Sequence, residues 1–463
     1  MTPWTIASLA ARLAAGETTS GELVETALAR IADPRGEGAR AFLALRAQAA
    51  RAEAESADRR RRAGSALSPL DGLPISVKDL FDVQGEVTRA GSRLLAGAPP
   101  ARADAPAVAR LRAAGAIVVG RTNMVEFAFG GLGLNPHYGT PRNPWDRPRA
   151  GSDGATIGGR VPGGSSSGAA VAVADGMCVM GLGSDTRGSV RIPAALCGLA
   201  GFKPTARRVP REGAFPLSTT LDSVGPIAHS IACCAAYDAA LAGEPIAPLP
   251  RREASGLRLL LPKSSVLDDL DAQVGRAFSA ALAELSRAGA RIDERPMPAF
   301  DRQDAYFKGG GFSGAEAYRI HLPYAGRIAE YDPRVGKRIA LGKQLTPADL
   351  AELTRLRAGF VREVEATAVS CDAIVMPTVA CVAPPIDELE ASDEAYFRCN
   401  ARVLRNTGLV NFWDGCAATL PCHAPGDAPV GLMLCGAAMS DRRVLAVAQA
   451  VERLLDPITQ RGA

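Results

Sequence analysis

The chain has 463 residues, of which 47% are hydrophobic and 22% charged, and its formal net charge at pH 7 is +4. This composition is typical of a globular protein with a large core, and the charge is too small for this length to indicate a nucleic-acid partner. The chain lacks an uninterrupted apolar run of about 18 residues, which excludes a predicted membrane-spanning helix.

The ten cysteines lie mostly in apolar stretches, and none of them has the spacing of a metal site. The N-terminus lacks the basic region that opens a signal peptide. We therefore expect reduced, buried thiols, no bound metal and a cytoplasmic protein.

The N-terminal part of the chain is predicted to be helical. Apolar residues recur at helical spacing between Thr5 and Ala15. Thr19 and Glu22 have the spacing of a capping box, which predicts a second helix to about Ile31. A third helical segment is expected from about Ala41 to the four arginines at 59–62, since cations suit a helix C-terminus.

A strand-like apolar pattern surrounds Lys78, with Ile75 and Val77 before it and Leu80 after it. A buried lysine requires a physical reason. Lys78 either has a lowered pKa and acts as a base, or it pairs with Asp79, or its amine extends to the surface. Because neighbours on a strand point to opposite faces, we expect Asp79 to face away.

Helices and strands alternate along the rest of the chain. Asp104 is expected to cap a helix that ends at Gly115, before a buried strand from Ala116 to Val119. Later strands are predicted at 256–261, 290–293, 372–376 and 430–435, with helices at 270–288 and 442–455. This alternation predicts an α/β fold in which helices cover a large sheet.

Two Gly/Ser clusters flank an apolar segment, at residues 163–168 and 185–189. They predict a loop, a helix from about Ser167 to Asp175, a strand over 178–183, a tight turn and a helix that starts at Ser189. A flexible linker is the alternative, although linkers rarely flank such apolar runs. A P-loop lacks its closing Lys-Ser/Thr here.

A serine nucleophile needs a base. The four histidines (His137, His229, His321 and His423) lie in no motif that ties them to a serine, and no G-x-S-x-G sequence occurs. A lysine with a lowered pKa is the other candidate base, and Lys78 is well placed for that role.

The motifs PISVKD around Lys78, PGGSSSG around Ser165 and GSDTRGSVRIPA around Ser189 together resemble the amidase signature family. The order of the motifs and the spacing of the two serines match that family. Further matching stretches at 201–205, 221–226 and 428–434 extend the resemblance over nearly the whole chain.

The resemblance implies a single compact α/β domain over residues 1–463, with a large mixed β-sheet covered by α-helices on both faces. N-terminal helices would extend to about residue 65. A catalytic core would cover about 66–240, and the remaining α/β part about 250–463.

The resemblance also implies site residues. Ser189 would be the nucleophile, Ser165 a bridging serine after a cis peptide bond from Gly164, and Lys78 the base. The backbone N–H groups of Thr186, Arg187, Gly188 and Ser189 would form an oxyanion hole. Supporting residues would be Gly164, Ser166, Asp185 and Arg191, of which Asp185 and Arg191 would pair to brace the turn. Met124, Phe127 and Gly130 are substrate-pocket candidates.

The function implied is hydrolysis of C–N bonds in amides, or in carbamates or ureas, through a covalent acyl-enzyme. No cofactor is required. We expect a small-molecule substrate and neither a nucleic-acid nor a membrane partner. The chain would act alone or as a homodimer. The alternatives are the A subunit of a glutamyl-tRNA amidotransferase, which needs partner subunits, and a non-catalytic binding protein on the same fold.

Two features depart from the family pattern. Arg187 stands where a small residue, most often glycine, is usual; an arginine would be strained there if the position required a positive φ. Its side chain is otherwise expected on the surface or behind the site, or at the substrate mouth, where it would select polar or anionic groups. A Gly-rich insertion at residues 149–160 precedes Ser165 and is expected near the site entrance, as a lid or a tolerated loop.

Overall fold

One mixed sheet of eleven strands forms the frame of the computed structural model, which describes residues 4–147 and 158–459. The strand order across the sheet is β1-β3-β2-β4-β6-β5-β10-β11-β9-β7-β8. The strands are β1 (Phe42–Leu45), β2 (Pro74–Lys78), β3 (Ile117–Thr122), β4 (Met180–Asp185), β5 (Ala200–Lys203), β6 (Ser223–Ala228), β7 (Arg258–Lys263), β8 (Arg291–Pro296), β9 (Ala373–Pro377), β10 (Cys416–Pro421) and β11 (Gly431–Gly436).

Helices connect and cover these strands. They are α1 (Ile6–Ala14), α2 (Ser20–Ala32), α3 (Gly38–Ala41), α4 (Ala47–Arg62), α5 (Pro106–Ala113), α6 (Ser167–Ala174), α7 (Arg191–Leu196), α8 (Ile231–Ala242), α9 (Ala272–Arg287), α10 (Pro298–Asp301), α11 (Gln303–Phe307), α12 (Gly311–His321), α13 (Pro333–Leu341), α14 (Pro347–Ala368), α15 (Ile386–Ala391), α16 (Asp393–Trp413) and α17 (Asp441–Thr459). Short 3₁₀ turns occur at Glu126–Ala128, Ser265–Leu267, Lys308–Gly310, Leu322–Glu330 and Gly342–Gln344. The predicted α/β class with a mixed sheet is confirmed.

The first two helices begin as predicted. Thr5 caps α1 and Thr19 caps α2, where the Thr19 hydroxyl accepts from the Glu22 N–H at 3.1 Å. The Glu22 carboxylate accepts in return from the Thr19 N–H, so the predicted capping box is present. In the part of the chain that the structure describes, no helix is long and apolar enough to cross a membrane.

Two local predictions are wrong. The segment after Ala41 is not helical at first: residues Phe42–Leu45 form β1 and pair antiparallel with β3 at the sheet edge, and α4 starts only at Ala47. Asp104 does not cap α5, because its carboxylate accepts from the Gln84 N–H and from Arg112, both at 2.8 Å. Pro106 at the first helical position sets the start of α5 instead.

Other boundaries shift by a few residues. The strand predicted over 178–183 spans Met180–Asp185, and the helix expected to begin at Ser189 begins at Arg191. Two extra residues of irregular backbone therefore precede α7, and they matter for the site described below.

The site lies where three parallel strands end. β2 is parallel to both β3 and β4, with Val77 opposite Leu182. The carboxyl ends of parallel neighbours meet at the same sheet edge. Lys78 at the end of β2 is therefore brought beside Ser184 and Asp185 at the end of β4.

Asp79 faces away from Lys78, as predicted, and forms a buried ion pair with Arg121 of β3. Arg121 Nε donates to Asp79 Oδ1 at 2.8 Å, and its Nη2 donates to the carbonyls of Asp79 and Phe81, both at 2.9 Å. The Gly91 N–H donates to the other carboxylate oxygen at 3.0 Å. Burial raises the pKa of Asp79, and Arg121 opposes that rise. This pair fixes the chain immediately after Lys78.

Arg121→Met should lower the free energy of unfolding by about 3–5 kcal/mol, because it removes the cationic partner of a buried carboxylate. Urea unfolding followed by circular dichroism measures the loss. Arg35→Met is the control: Arg35 is 89% exposed in its pair with Asp33, so its loss should cost no more than about 1 kcal/mol. Equal effects of the two substitutions would contradict this account of the Asp79 pair.

Candidate active site

Lys78 is fully buried and contacts two serine hydroxyls. Its Nζ lies 2.7 Å from Ser165 Oγ and 2.8 Å from Ser184 Oγ. Burial lowers the pKa of Lys78 to about 7, while the charges of Asp185 and Asp222 oppose the change. The alternative in which Lys78 pairs with Asp79 is wrong, since Asp79 binds Arg121.

The Gly/Ser run places Ser165 deep in the fold. The peptide bond between Gly164 and Ser165 is cis, and Ser165 is fully buried. Gly163 has φ +80°, and a Cβ on Gly164 would meet the Gly133 nitrogen at 2.7 Å, so both glycines are required by geometry. The next residue, Ser166, precedes α6, and its N–H donates to the Ser189 carbonyl at 3.3 Å.

The buried Asp185 carboxylate organises the turn that carries Ser189. It accepts from the N–H groups of Gly188 at 2.7 Å and Val190 at 3.1 Å. Arg191 meets it with two nitrogens, Nη2 and Nε, each at 3.0 Å. Burial alone would raise the pKa of Asp185, but Arg191 holds it well below its usual range. The predicted pairing of Asp185 with Arg191 is present.

Helix α16 braces the same turn from a distant part of the sequence. The Thr407 hydroxyl donates to the Arg187 carbonyl at 2.6 Å. Asn411 donates to the Asp185 carbonyl at 3.0 Å and accepts from Arg191 at 2.6 Å. Neither residue was predicted from the sequence. The only signal was a polar side chain within an apolar helical stretch, and such a signal does not identify the distant turn that the side chain contacts.

Free backbone donors remain in the turn. Among the described residues, the N–H groups of Thr186, Arg187 and Ser189 have no acceptor, whereas the Gly188 N–H is occupied by Asp185. Gly188 has φ +122°, and a Cβ there would meet Thr407 Oγ1 at 2.3 Å. The positive φ therefore belongs to Gly188, and Arg187 adopts an ordinary backbone conformation.

Ser189 is 3% exposed. Its carbonyl accepts from the N–H of Ser166, the residue after Ser165, and this contact brings the two chain segments together. Within the described residues, no hydrogen bond joins the two side-chain hydroxyls. Catalytic hydrogen bonds are often long or misaligned in a site without substrate.

A cavity of about 280 Å³ opens beside Thr186 and Ser184, the serine that Lys78 contacts. Asp222 lies on its wall and accepts from Thr186 Oγ1 at 2.5 Å and from the Ser218 N–H at 3.0 Å. Burial raises the pKa of Asp222 to about 6. Neither Ser184 nor Asp222 was predicted from the sequence to be a site residue.

The pocket candidates lie around this cavity rather than on its wall. Ala128 and Phe215 line it, and Phe127 packs against the Phe215 ring at 5.1 Å. Met124 is fully buried, and Gly130 lies against Val125 and Tyr396. The assignment of Met124, Phe127 and Gly130 to the substrate pocket stays a prediction.

The predicted insertion lies mainly outside the described residues, since its positions 149–157 fall in the gap. Its last residue, Arg160, is anchored: Nε lies 2.8 Å from Asp146 Oδ2, and Nη1 donates to the Ala383 carbonyl at 2.8 Å.

The histidines are occupied away from the serines. His137 contacts Glu126 at 2.8 Å, His321 contacts the Tyr331 hydroxyl at 2.8 Å, and His423 accepts from the Val430 N–H at 3.3 Å. Burial lowers the pKa of His229.

Comparison with known proteins agrees with this geometry. The family model described as Amidase matches residues 22–445. A 2-amino-5-chloromuconic acid deaminase from Comamonas testosteroni is 37% identical, over 97% of this chain and 96% of that protein. The A subunit of glutamyl-tRNA(Gln) amidotransferase from Chloroflexus aggregans is 35% identical, over 99% of this chain and 97% of that protein.

Among solved structures, one described as an amidase superimposes with a TM-score of 0.85 at 33% identity, over 98% of this chain and 100% of that one. The chain therefore belongs to the amidase family, and it is a hydrolase that acts on carbon–nitrogen bonds of amides.

Proposed function

We propose that the chain hydrolyses small amides through an acyl-enzyme on Ser189, with Ser165 as the proton relay and Lys78 as the base. The observation that carries the proposal is the buried Lys78 amine, 2.7 Å from Ser165 Oγ, beside a turn whose free N–H groups surround Ser189. A nucleophile, a base and donors for an oxyanion are the parts that acyl transfer requires.

In the proposed reaction, Ser189 Oγ attacks the amide carbonyl carbon as its proton moves through Ser165 to Lys78. The negative oxygen that develops is stabilised by the N–H groups of Thr186, Arg187 and Ser189. When the C–N bond breaks, the proton returns through Ser165 to the leaving nitrogen. Water then attacks the ester on Ser189, and the same groups carry its proton while the acid is released.

The base must be neutral at the start of this sequence, and burial supplies the reason. A pKa of about 7 places Lys78 close to the working pH, where a general base is most effective. A neutral amine has one lone pair and two N–H groups. It can accept from the Ser165 hydroxyl and donate to Ser184, which would hold the lone pair toward the relay.

The Asp222 carboxylate supports the oxyanion hole in this proposal. It holds the Thr186 side chain at 2.5 Å and is itself held by backbone donors from Leu217 and Ser218, both at 3.0 Å. We propose that Thr186 keeps its N–H aimed at the reacting oxygen because its side chain is fixed in this way. Carbamates and ureas present the same carbonyl and are the second substrate class.

A second candidate function is that of the A subunit of a glutamyl-tRNA amidotransferase, and the relative from Chloroflexus aggregans favours it. The two functions differ in what they require. A free-standing amidase releases amine from simple amides as the purified chain, whereas an amidotransferase component depends on partner subunits and tRNA. All the residues proposed here come from one chain. We propose a cytoplasmic enzyme, alone or as a homodimer.

A fluorophosphonate probe should label Ser189, because its hydroxyl belongs to the turn that carries the free N–H groups. Peptide mapping by mass spectrometry locates the label. Ser189→Ala should abolish labelling and nearly all amide turnover, since members of such a unit act together. Ser165→Ala should slow labelling yet leave it on Ser189. A label on Ser165 or on a histidine would contradict the assigned roles.

The rate should depend on Lys78 in a pH-dependent manner. Because the neutral amine is the base, kcat/KM should rise with pH around an apparent pKa near 7, a property of the coupled Lys-Ser-Ser unit. Lys78→Ala should flatten this limb and lower the rate at least about 100-fold. Lys203→Met is a matched control, since Lys203 is also buried with a lowered pKa but binds the Pro204 carbonyl. If Lys203→Met changed the rising part of the pH profile and Lys78→Ala did not, the assignment of Lys78 as the base would be wrong.

The lowered pKa of Lys78 should also make the free energy of unfolding depend on pH. Between pH 7 and 10 the unfolded lysine, with a pKa of about 10.4, binds a proton that the folded Lys78 lacks, so stability should rise with pH. As the pH rises, the free energy of unfolding of the wild type should therefore increase relative to that of Lys78→Met, by up to about 1.4 kcal/mol per pH unit. Urea unfolding at pH 7, 8 and 9 measures the difference. A constant difference would show that Lys78 is charged when buried.

A further inference from the structure

A second cavity, of about 610 Å³, lies beside the same turn and is lined by several cationic side chains. Arg402 and Arg405 are already occupied there. Arg402 pairs with Asp271 at 2.8 Å, and Arg405 donates to the Asp268 carbonyl at 2.7 Å. Lys308 is exposed at this cavity. Two other arginines at this cavity, Arg187 and Arg338, have no carboxylate partner among the described residues.

Arg187 has no anionic partner among the described residues. Its guanidinium lies 3.6 Å over the Phe307 ring, and its Nε is buried without an acceptor. Burial and the neighbouring Arg338 lower the pKa of Arg187 to about 9, which still leaves it charged at neutral pH. Its position is fixed, because Thr407 holds its carbonyl and Gly408 leaves just enough room for its Nε.

Arg338 is the second cation without a carboxylate within the described chain. Its Nη1 donates to the Phe129 carbonyl at 2.5 Å, and its guanidinium lies 4.2 Å over the Phe129 ring. Burial lowers the pKa of Arg338. Aromatic faces thus hold both guanidinium groups in place. Arg338 also has a side-chain hydrogen bond with Tyr396, whereas the guanidinium N–H groups of Arg187 have no acceptor among the described residues.

Two neighbouring, half-buried cations without a carboxylate partner among the described residues are unfavourable. A bound anion would remove that cost, and the planar fork of a guanidinium matches a carboxylate with two parallel hydrogen bonds. Asp301 and Asp304 at the same cavity disfavour a ligand of higher negative charge. The arrangement therefore selects one carboxylate.

The cavity is also near the chemistry. Arg187 stands two positions before Ser189, in the turn whose N–H groups are proposed to hold the oxyanion. An amide with its carbonyl at Ser189 would need a carboxylate a few bonds away to meet these guanidinium groups. A simple neutral amide would leave the guanidinium groups unpaired.

We propose that the substrate is an amide that also carries a carboxylate, and that Arg187, assisted by Arg338, binds this carboxylate and so determines specificity. The proposal rests on the acyl-enzyme function proposed above. It gives a physical use to the arginine that replaces the usual small residue.

The test measures protection of Ser189 against a neutral fluorophosphonate, so it needs no known substrate. The competitors are matched pairs: the monoamides of succinic, glutaric and adipic acid, which carry a carboxylate, and the corresponding neutral diamides. For at least one pair, the wild type should be half-protected at a concentration at least about tenfold lower for the monoamide, the range of a charged hydrogen bond.

Arg187→Gln should bring that ratio close to one, and Arg187→Lys, which keeps the charge but loses the fork, should give an intermediate value. Lys308→Gln is the control, because an exposed cation at the same cavity is screened by solvent and should leave the ratio near the wild-type value. Covalent labelling reports at the same time that each variant is folded.

The outcomes separate the two proposals. If the wild type is labelled on Ser189 but no monoamide protects better than its diamide, the carboxylate proposal is overturned and the acyl-enzyme proposal stands. The same holds if Arg187→Gln keeps the full ratio. If the probe labels another residue, the acyl-enzyme proposal fails, and the carboxylate proposal fails with it.

Discussion

The buried carboxylate of Asp185 is the constraint on which the rest of the site depends. It binds the N–H groups that follow it in the turn, and Arg191 and Asn411 bind it in return. Such a group is costly to bury unless every lone pair is matched, and here donors from three chain segments match them. The turn that carries Ser189 is therefore held rigidly, while its other N–H groups stay free for a ligand.

Much of this could be predicted from sequence because the signals were local. The capping box at Thr19, the apolar strand around Lys78 and the glycines near Ser165 each act over a few residues. The opposite directions of Lys78 and Asp79 follow from strand geometry alone. The motifs around the serines then identified a family and with it a fold, which composition could not have done.

The errors and omissions have a common physical cause. Phe42–Leu45 forms a strand because β3 offers an edge to pair with, and Asp104 binds Arg112 instead of capping a helix. Thr407 and Asn411 act on a turn more than two hundred positions away. Each depends on tertiary partners that local preference does not encode, and tertiary contacts override such preferences.

One environment gives two cations opposite roles. Burial near the end of β2 brings the lysine pKa into the neutral range, so Lys78 can accept a proton. Partial burial at the neighbouring turn lowers the pKa of Arg187 only to about 9, because a guanidinium starts from a much higher value. The arginine therefore keeps its charge where the lysine gives it up. In the proposed mechanism, the neutral amine of Lys78 is thus the base, and the charged guanidinium of Arg187 is the proposed anion-binding group.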